Sequence, residues 1–265
     1  MDAQQRGQVT RSAADVYEEF FVPALFAPWP GRVAQAAGIA PGHAVLDVAC
    51  GTGVLAREAA KRVQPGGEVI GLDRNEGMLA VARREAPAIA WRLGQAEALP
   101  FPDGRFDAVV SQFGLMFFED RGLALTEMWR VLKPAGRLAV AVWDALERTP
   151  GYLAMTELLQ RLFGARIAEA LRAPFCLGNT AALAGLAAQA GIPAKIATHA
   201  DVARFPSIEA WVRTDVKGWT LADMIDDEQY GLLQREAAKD LQRFVQPDGS
   251  VLFDAPAHIL SAIKG

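Results

Sequence analysis

The stretch Val45-Leu46-Asp47-Val48-Ala49-Cys50-Gly51-Thr52-Gly53 decides the fold of this 265-residue chain. An apolar run ends in a glycine turn, and a helical stretch, Val54 to Val63, follows at once. Where side chains are missing, backbone can approach a ligand closely, and such turns sit at the carboxyl edge of a parallel sheet. Asp73 stands 20 residues past Gly53, at the end of the next apolar run. An acid there accepts hydrogen bonds from ribose hydroxyls, so the pair points to a nucleoside-containing cofactor. Gly51, Gly53 and Ala56 also satisfy the GxGxxG/A spacing of nicotinamide-dinucleotide enzymes. Asp47 argues the other way: a carboxylate beside the turn repels a pyrophosphate and suits a cofactor carrying ammonium and sulfonium charge, namely S-adenosylmethionine.

Outward from this turn, short apolar runs alternate with amphipathic stretches, the rhythm of a parallel α/β sheet. Strands are expected at Ala44–Val48, Glu68–Leu72, Ile89–Leu93, Phe106–Ser111 and Gly136–Trp143, and helices at Val54–Val63, Glu76–Glu85 and Leu123–Leu132, the last ended by Pro134. Beyond Trp143, helices are expected at Gly151–Leu171, Thr180–Ala190, Ser207–Lys217 and Ala222–Phe244, with strands at Lys195–Phe205 and Ala257–Ile263. Ahead of the sheet, Ala13–Trp29 is crowded with aromatic residues, and its early part reads as a helix that Pro23 interrupts.

Four spaced blocks carry a resemblance. They are the glycine turn, Gly71-Leu72-Asp73-Arg74-Asn75, Gly94-Gln95-Ala96-Glu97-Ala98-Leu99-Pro100-Phe101 and Arg130-Val131-Leu132-Lys133-Pro134-Ala135-Gly136. From Val45 to Trp143 the chain resembles a class I S-adenosylmethionine-dependent methyltransferase, of the group similar to ubiquinone and menaquinone biosynthesis enzymes. The resemblance implies a Rossmann-like α/β fold whose seven-stranded sheet, in order 3-2-1-4-5-7-6, has helices on both faces and an inserted helical cap. It further implies one domain: residues 1–30 as an N-terminal lid helix, 31–144 as cofactor-binding core, 145–254 as cap and substrate region with one core strand, and 255–265 as last strand.

Carried over position by position, the resemblance sets Asp47, Ala49, Gly51 and Gly53 around the methionine part of the cofactor and Asp73 on the ribose. Arg74 and Met78 fall near ribose and adenine, Gln95 and Ala96 at the adenine edge, and Ser111, Gln112 and Phe113 beside the methyl group. The family's first glycine is Ala49 here, and its usual adenine-binding Asp is Gln95. Tyr17, Phe21, Phe117 and Trp143 are candidates for the substrate pocket; Tyr17 and His199 are the candidate catalytic side chains. Tyr17 lies in the N-terminal helix, which in relatives closes over the cofactor. Glu97 and Cys50 read as structural, as do His43 and His258. Ser111-Gln112-Phe113-Gly114 lacks the Asn/Asp-Pro-Pro-aromatic turn of adenine and glutamine N-methyltransferases, and two cysteines do not match arsenic methyltransferases. The nearby aromatic residues favour a small apolar or aromatic acceptor. Two rivals stay open: an NAD(P)-dependent oxidoreductase using the same turn, and a non-catalytic S-adenosylmethionine-binding protein.

Composition limits the partners. The chain is 51% hydrophobic with a net charge of -4, enough to bury a large core. Two cysteines and three histidines without metal-ligand spacing predict neither a disulfide framework nor a metal site, so a reducing cytoplasm is expected. Met1 to Ser12 is too polar for a signal peptide. Residues 207–265 hold 10 acids against 6 bases, while 1–206 hold 21 of each, so the surplus acid belongs to the last quarter and is expected to solvate outer cap helices. No basic run invites nucleic acid, and no uninterrupted apolar stretch invites a membrane, so the expected partner is a small molecule and the assembly a monomer or homodimer.

Overall fold

The computed structural model describes residues 11–218, 221 and 224–265. Residues 1–10 of the expected lid, and Ala222 with Asp223 at the start of an expected helix, lie outside them. The strands are β1 Ala44–Val48, β2 Glu68–Asp73, β3 Ala90–Leu93, β4 Phe106–Gln112, β5 Leu132–Trp143, β6 Lys195–His199, β7 Val202–Phe205, β8 Val251–Asp254 and β9 Ala257–Ile263. Seven of them form one sheet in order β3-β2-β1-β4-β5-β9-β6. The five early strands run parallel, and β9 runs antiparallel to both β5 and β6. Counted along the sheet's own strands, this is the expected 3-2-1-4-5-7-6. Chain connections diverge on either side of β1 and β4, where Asp47 pairs with both Gly71 and Val110. A crevice therefore opens at the carboxyl ends of these two strands.

Helices cover both faces: α1 Arg11–Val16, α2 Pro30–Ala36, α3 Val54–Arg62, α4 Glu76–Glu85, α5 Arg121–Arg130, α6 Pro150–Phe163, α7 Ala165–Arg172, α8 Thr180–Gln189, α9 Ile208–Lys217 and α10 Asp227–Asp240. Capping explains several starts. Asn75, Asp120, Asn179, Ser207 and Asp226 each accept a bond from an amide in the first turn of the helix that follows. Leu138 to Val142 are fully buried on β5, which is why that strand reads as an unbroken apolar run. At the chain's end Lys264 Nζ donates to the carbonyls of Trp129, Arg130 and Leu132 at 2.7, 3.2 and 2.8 Å, satisfying acceptors where α5 stops.

Several expectations need correction. The helix placed at Leu123–Leu132 ends at Arg130, and β5 begins at Leu132, before Pro134, because Leu132 pairs with Phe106 across an irregular register. Gly164, with φ 84° and ψ 178°, splits the helix expected over Gly151–Leu171 into α6 and α7. The strand expected at Lys195–Phe205 is two: β6 joins the large sheet, and β7 pairs with β8, a strand that was not foreseen. Pro23 does not interrupt the N-terminal helix; Tyr17–Phe26 winds through it as a π-helix, closed by the Ala27 amide on Val22 O at 2.8 Å. Not all the late acids are solvated: Asp215 is 2% exposed.

Candidate functional site

A cavity enclosing about 910 Å³, its mouth included, lies at the carboxyl ends of β1, β2, β4 and β5. Asp47 stands at its floor, 1% exposed, and neither carboxylate oxygen meets a donor at full hydrogen-bond geometry, with only the Ala56 amide acting on it from nearby. Burial pushes its pKa well up, the Ala56 amide offsets this only in part, and Asp73 adds to it. An unpartnered buried carboxylate is costly unless a ligand supplies the missing donor. Beside it, Gly51 has φ 55°, and a Cβ there would meet nothing within 4 Å, so this face of the turn is open. Asp73 braces the turn: one oxygen accepts from the Gly51 amide and the other from the Asn75 amide, both at 2.8 Å. Each oxygen keeps a second lone pair. Burial raises its pKa as well, against the lowering effect of those amides and of Arg74.

Ala49 takes the left-handed conformation, φ 56°, that a glycine would adopt without strain. Its methyl group fits because residue 114 is glycine: a Cβ on Gly114 would lie 2.6 Å from it. Gly53 serves packing, since a Cβ there would meet the Trp91 ring at 2.3 Å.

Aromatic rings cover the cavity. Tyr17 stacks on Phe26 at 5.1 Å, and Phe113 lies flat against Trp143, centroids 3.8 Å apart and planes 10° from parallel. Burial and the carboxylates of Glu18, Asp73 and Asp47 push the Tyr17 pKa upward, so its hydroxyl is a donor and not a base near neutral pH. Arg57 fastens this cover to the turn, donating to Glu18 at 2.6 Å and to the Thr52 carbonyl at 2.8 Å.

Of the side chains singled out in the sequence, Tyr17, Asp47, Ala49, Gly51, Asp73, Arg74, Met78, Gln112, Phe113, Phe117 and Trp143 line this one cavity. Six do not. Gly53 packs on Trp91; Gln95 is exposed; Ala96 is buried away from the cavity; Ser111 is fully buried; and Phe21 sits behind Tyr17 at 5.7 Å. His199 ends the edge strand β6 opposite Ala257 and is not among the residues that line this cavity. Phe118, an aromatic residue expected near the site, lines it too, whereas Phe26 and Thr52 are lining residues that the sequence reading does not single out. The place of Thr52 in the turn is a signal that could find it; Phe26 has no local signal, because a π-helix carries it inward.

Two of the sequence blocks are structural ties. Arg130 clasps Glu127 and donates to the carbonyls of Phe101 and Leu99, and Glu127 accepts from the Leu99 amide. Glu97 accepts from the amides of Glu119 and Asp120, as a loop anchor would. A second, narrower pocket lies in the cap, about 330 Å³ with its open mouth included, and shares only Phe26 and Trp143 with the first. Among the described residues no group of three or more acids, histidines or cysteines is placed to hold a metal, and no helix is long and apolar enough to cross a membrane.

Comparison with known proteins agrees with this geometry. A family model for a methyltransferase domain matches residues 46–140. A ubiquinone/menaquinone biosynthesis C-methyltransferase of Paraburkholderia phymatum is 41% identical over 145 residues, covering 51% of this chain and 58% of that protein. The chain thus spans little more than half the length of that curated relative. Among solved structures, the YcgJ protein of Bacillus subtilis superposes with a TM-score of 0.61 at 21% identity, covering 89% of this chain and 97% of that one. Phosphoethanolamine N-methyltransferase 2 of Haemonchus contortus, solved with phosphomonomethylethanolamine and S-adenosylhomocysteine, does so with 0.60 at 19% identity, covering 99% and 59%. At those identities the likeness is one of fold. S-adenosylmethionine, the family's cofactor, fits the residues present, because Asp47 lacks a donor and the open face of Gly51 leaves room beside it. The sequence blocks, the strand order and the matched segment agree in making residues 46–140 a methyltransferase domain of the class I, S-adenosylmethionine-dependent type.

Proposed function

We propose that this protein transfers a methyl group from S-adenosylmethionine to a small apolar or aromatic molecule. The name of the Paraburkholderia relative points to a quinol-type ring carbon as acceptor. The observation that carries the reading is Asp47, a buried carboxylate with both oxygens unpartnered at the floor of a cavity. Two acids line that cavity against one basic side chain, Arg74, which suits a positively charged ligand and opposes a pyrophosphate. This balance speaks against the NAD(P) alternative.

When bound, the cofactor supplies a methyl group on a sulfonium, an activated leaving group that needs no protonation. The chain's own residues align and shield. In this reading Asp47 takes the ammonium of the methionine part, Asp73 the ribose through its spare lone pairs, and Met78 with Arg74 the adenine side. Gln112 and Phe113 border the reacting end. Tyr17 and Phe26 exclude water, and alignment of an acceptor in a dry site is the main source of rate. The Tyr17 hydroxyl, kept protonated, is suited to hold an acceptor oxygen and not to remove a proton. We further propose a cytoplasmic enzyme acting on a small molecule and not on nucleic acid, in which residues up to 30 form the lid and 145–254 the cap.

Calorimetry with S-adenosylhomocysteine, S-adenosylmethionine and NADH tests the cofactor, and transfer of labelled methyl to a panel of phenols, quinols and amines tests the reaction. Binding of S-adenosylhomocysteine that falls at least tenfold in Asp47→Asn, with no NADH binding, is expected. Binding without transfer to any of the panel would favour the non-catalytic alternative. Absence of binding, or binding unchanged in Asp47→Asn, would overturn the reading.

A further inference from the structure

The second pocket lies outside residues 46–140, and its walls come from the cap and the N-terminal π-helix: Leu25, Leu171, Pro174 and Phe175 are apolar, and Thr149 and Tyr152 carry hydroxyls. Phe26 and Trp143 separate it from the larger cavity and line both.

The two hydroxyls differ. Tyr152 spends its own on Asp215, at 3.1 Å, and so presents a ring to the pocket. Thr149 is 1% exposed, and its hydroxyl has no partner. It is also the N-cap of α6, where a threonine hydroxyl ordinarily accepts an amide of the first turn. Asn75, Asp120, Asn179, Ser207 and Asp226 all do so in this chain, and Thr149 does not. A hydroxyl withheld from its local partner and buried in an apolar wall is a local rule broken where a ligand would profit.

We propose that this cap pocket is a binding subsite for the methyl acceptor, and that it takes an apolar ring carrying one hydroxyl or carbonyl oxygen, which Thr149 bonds. The inference rests on the methyltransferase reading. Phe26 and Trp143 then form the partition across which the acceptor reaches the reacting end, and the apolar walls hold the part of the ring that is not methylated. Thr149 both donates and accepts, so phenols and ketones fit equally.

Protein loaded with S-adenosylhomocysteine is titrated with 2-naphthol and with naphthalene, following tryptophan fluorescence and heat. Wild type is expected to prefer 2-naphthol roughly five- to tenfold, the worth of one neutral hydrogen bond. Thr149→Val should erase that preference while leaving naphthalene binding unchanged. Leu171→Trp, and independently Ala255→Leu, should fill the pocket and remove binding of both probes, with S-adenosylhomocysteine affinity retained as the sign of a folded protein. The inference is overturned if wild type binds neither probe, if Thr149→Val keeps the preference, or if folded filled variants bind 2-naphthol as wild type does. Failure of wild type to bind S-adenosylhomocysteine would instead strike the methyltransferase reading, so the two failures are separable.

Discussion

Replacing Asp215 with asparagine tests whether an ionisable group has been buried at a cost to stability. Asp215 sits on α9, 2% exposed, one oxygen accepting from Tyr152 on α6 and the other without a partner. Burial pushes its pKa up to about 8, against the lowering effect of Tyr152 and the Trp211 indole. The native state therefore holds a proton that the unfolded chain releases near the ordinary aspartate value of 3.8. For an acid with a raised native pKa, stability falls as pH rises between the two values. Each pH unit in that window costs about 1.4 kcal/mol, so between about pH 5 and pH 7 this group alone removes about 2.7 kcal/mol. Even a native pKa a unit lower leaves more than about 2 kcal/mol. Asp215→Asn keeps the shape and the acceptor for Tyr152, and it has no proton to lose. Urea unfolding of both proteins across this range should show their difference in stability growing with pH, and then levelling above the native pKa. Asp47 and Asp73 also have raised values, but they are common to both proteins and cancel in the difference. A difference that does not vary with pH would refute the reasoning.

Other expectations concern the turn and its supports. Gly114→Ala forces a methyl to 2.6 Å from Ala49 Cβ and should cost about 1–3 kcal/mol in urea unfolding. Adding Ala49→Gly should recover at least about 0.5 kcal/mol beyond its effect alone; additive costs would mean the two residues do not share space. Arg57→Met removes the bonds to Glu18 and Thr52, so hydrogen exchange in residues 17–26 should quicken and S-adenosylhomocysteine affinity fall about fivefold. Unchanged exchange would remove the fastening role. Lys264→Met strips the donor from three carbonyls and should lower stability by about 2 kcal/mol, seen as a thermal shift of several degrees.

Much of the core was legible because its signals are local. The glycine turn, Asp73 at the end of β2 and the apolar run of β5 each follow from the residues of one short segment. Asp47 was singled out by charge alone, and the structure gives it the buried, unpartnered setting that makes the charge matter. Gln95 and Ala96 come with their sequence block, but that block's side-chain ties to other segments are those of Leu99 and Phe101 to Arg130 and Glu127 and of Glu97 to the amides of Glu119 and Asp120. Cap elements were less legible. Nothing local distinguishes a strand that joins the main sheet from one that pairs elsewhere, so β6 and β7 merged in the reading, and β8 needed its partner to exist at all.

The class of fold, the strand order through the family resemblance, and the glycine turn with its two neighbouring acids are all legible from sequence. These rest on backbone conformation and on periodicity, both properties of neighbouring residues. Contacts between distant segments are what bring Phe26 over the cavity, let Gly114 make room for Ala49, set His199 at the end of an edge strand, and leave the Thr149 hydroxyl withheld from its own helix. Each of these depends on which distant segments come together, and burial, not residue type, gives such a group its chemical meaning.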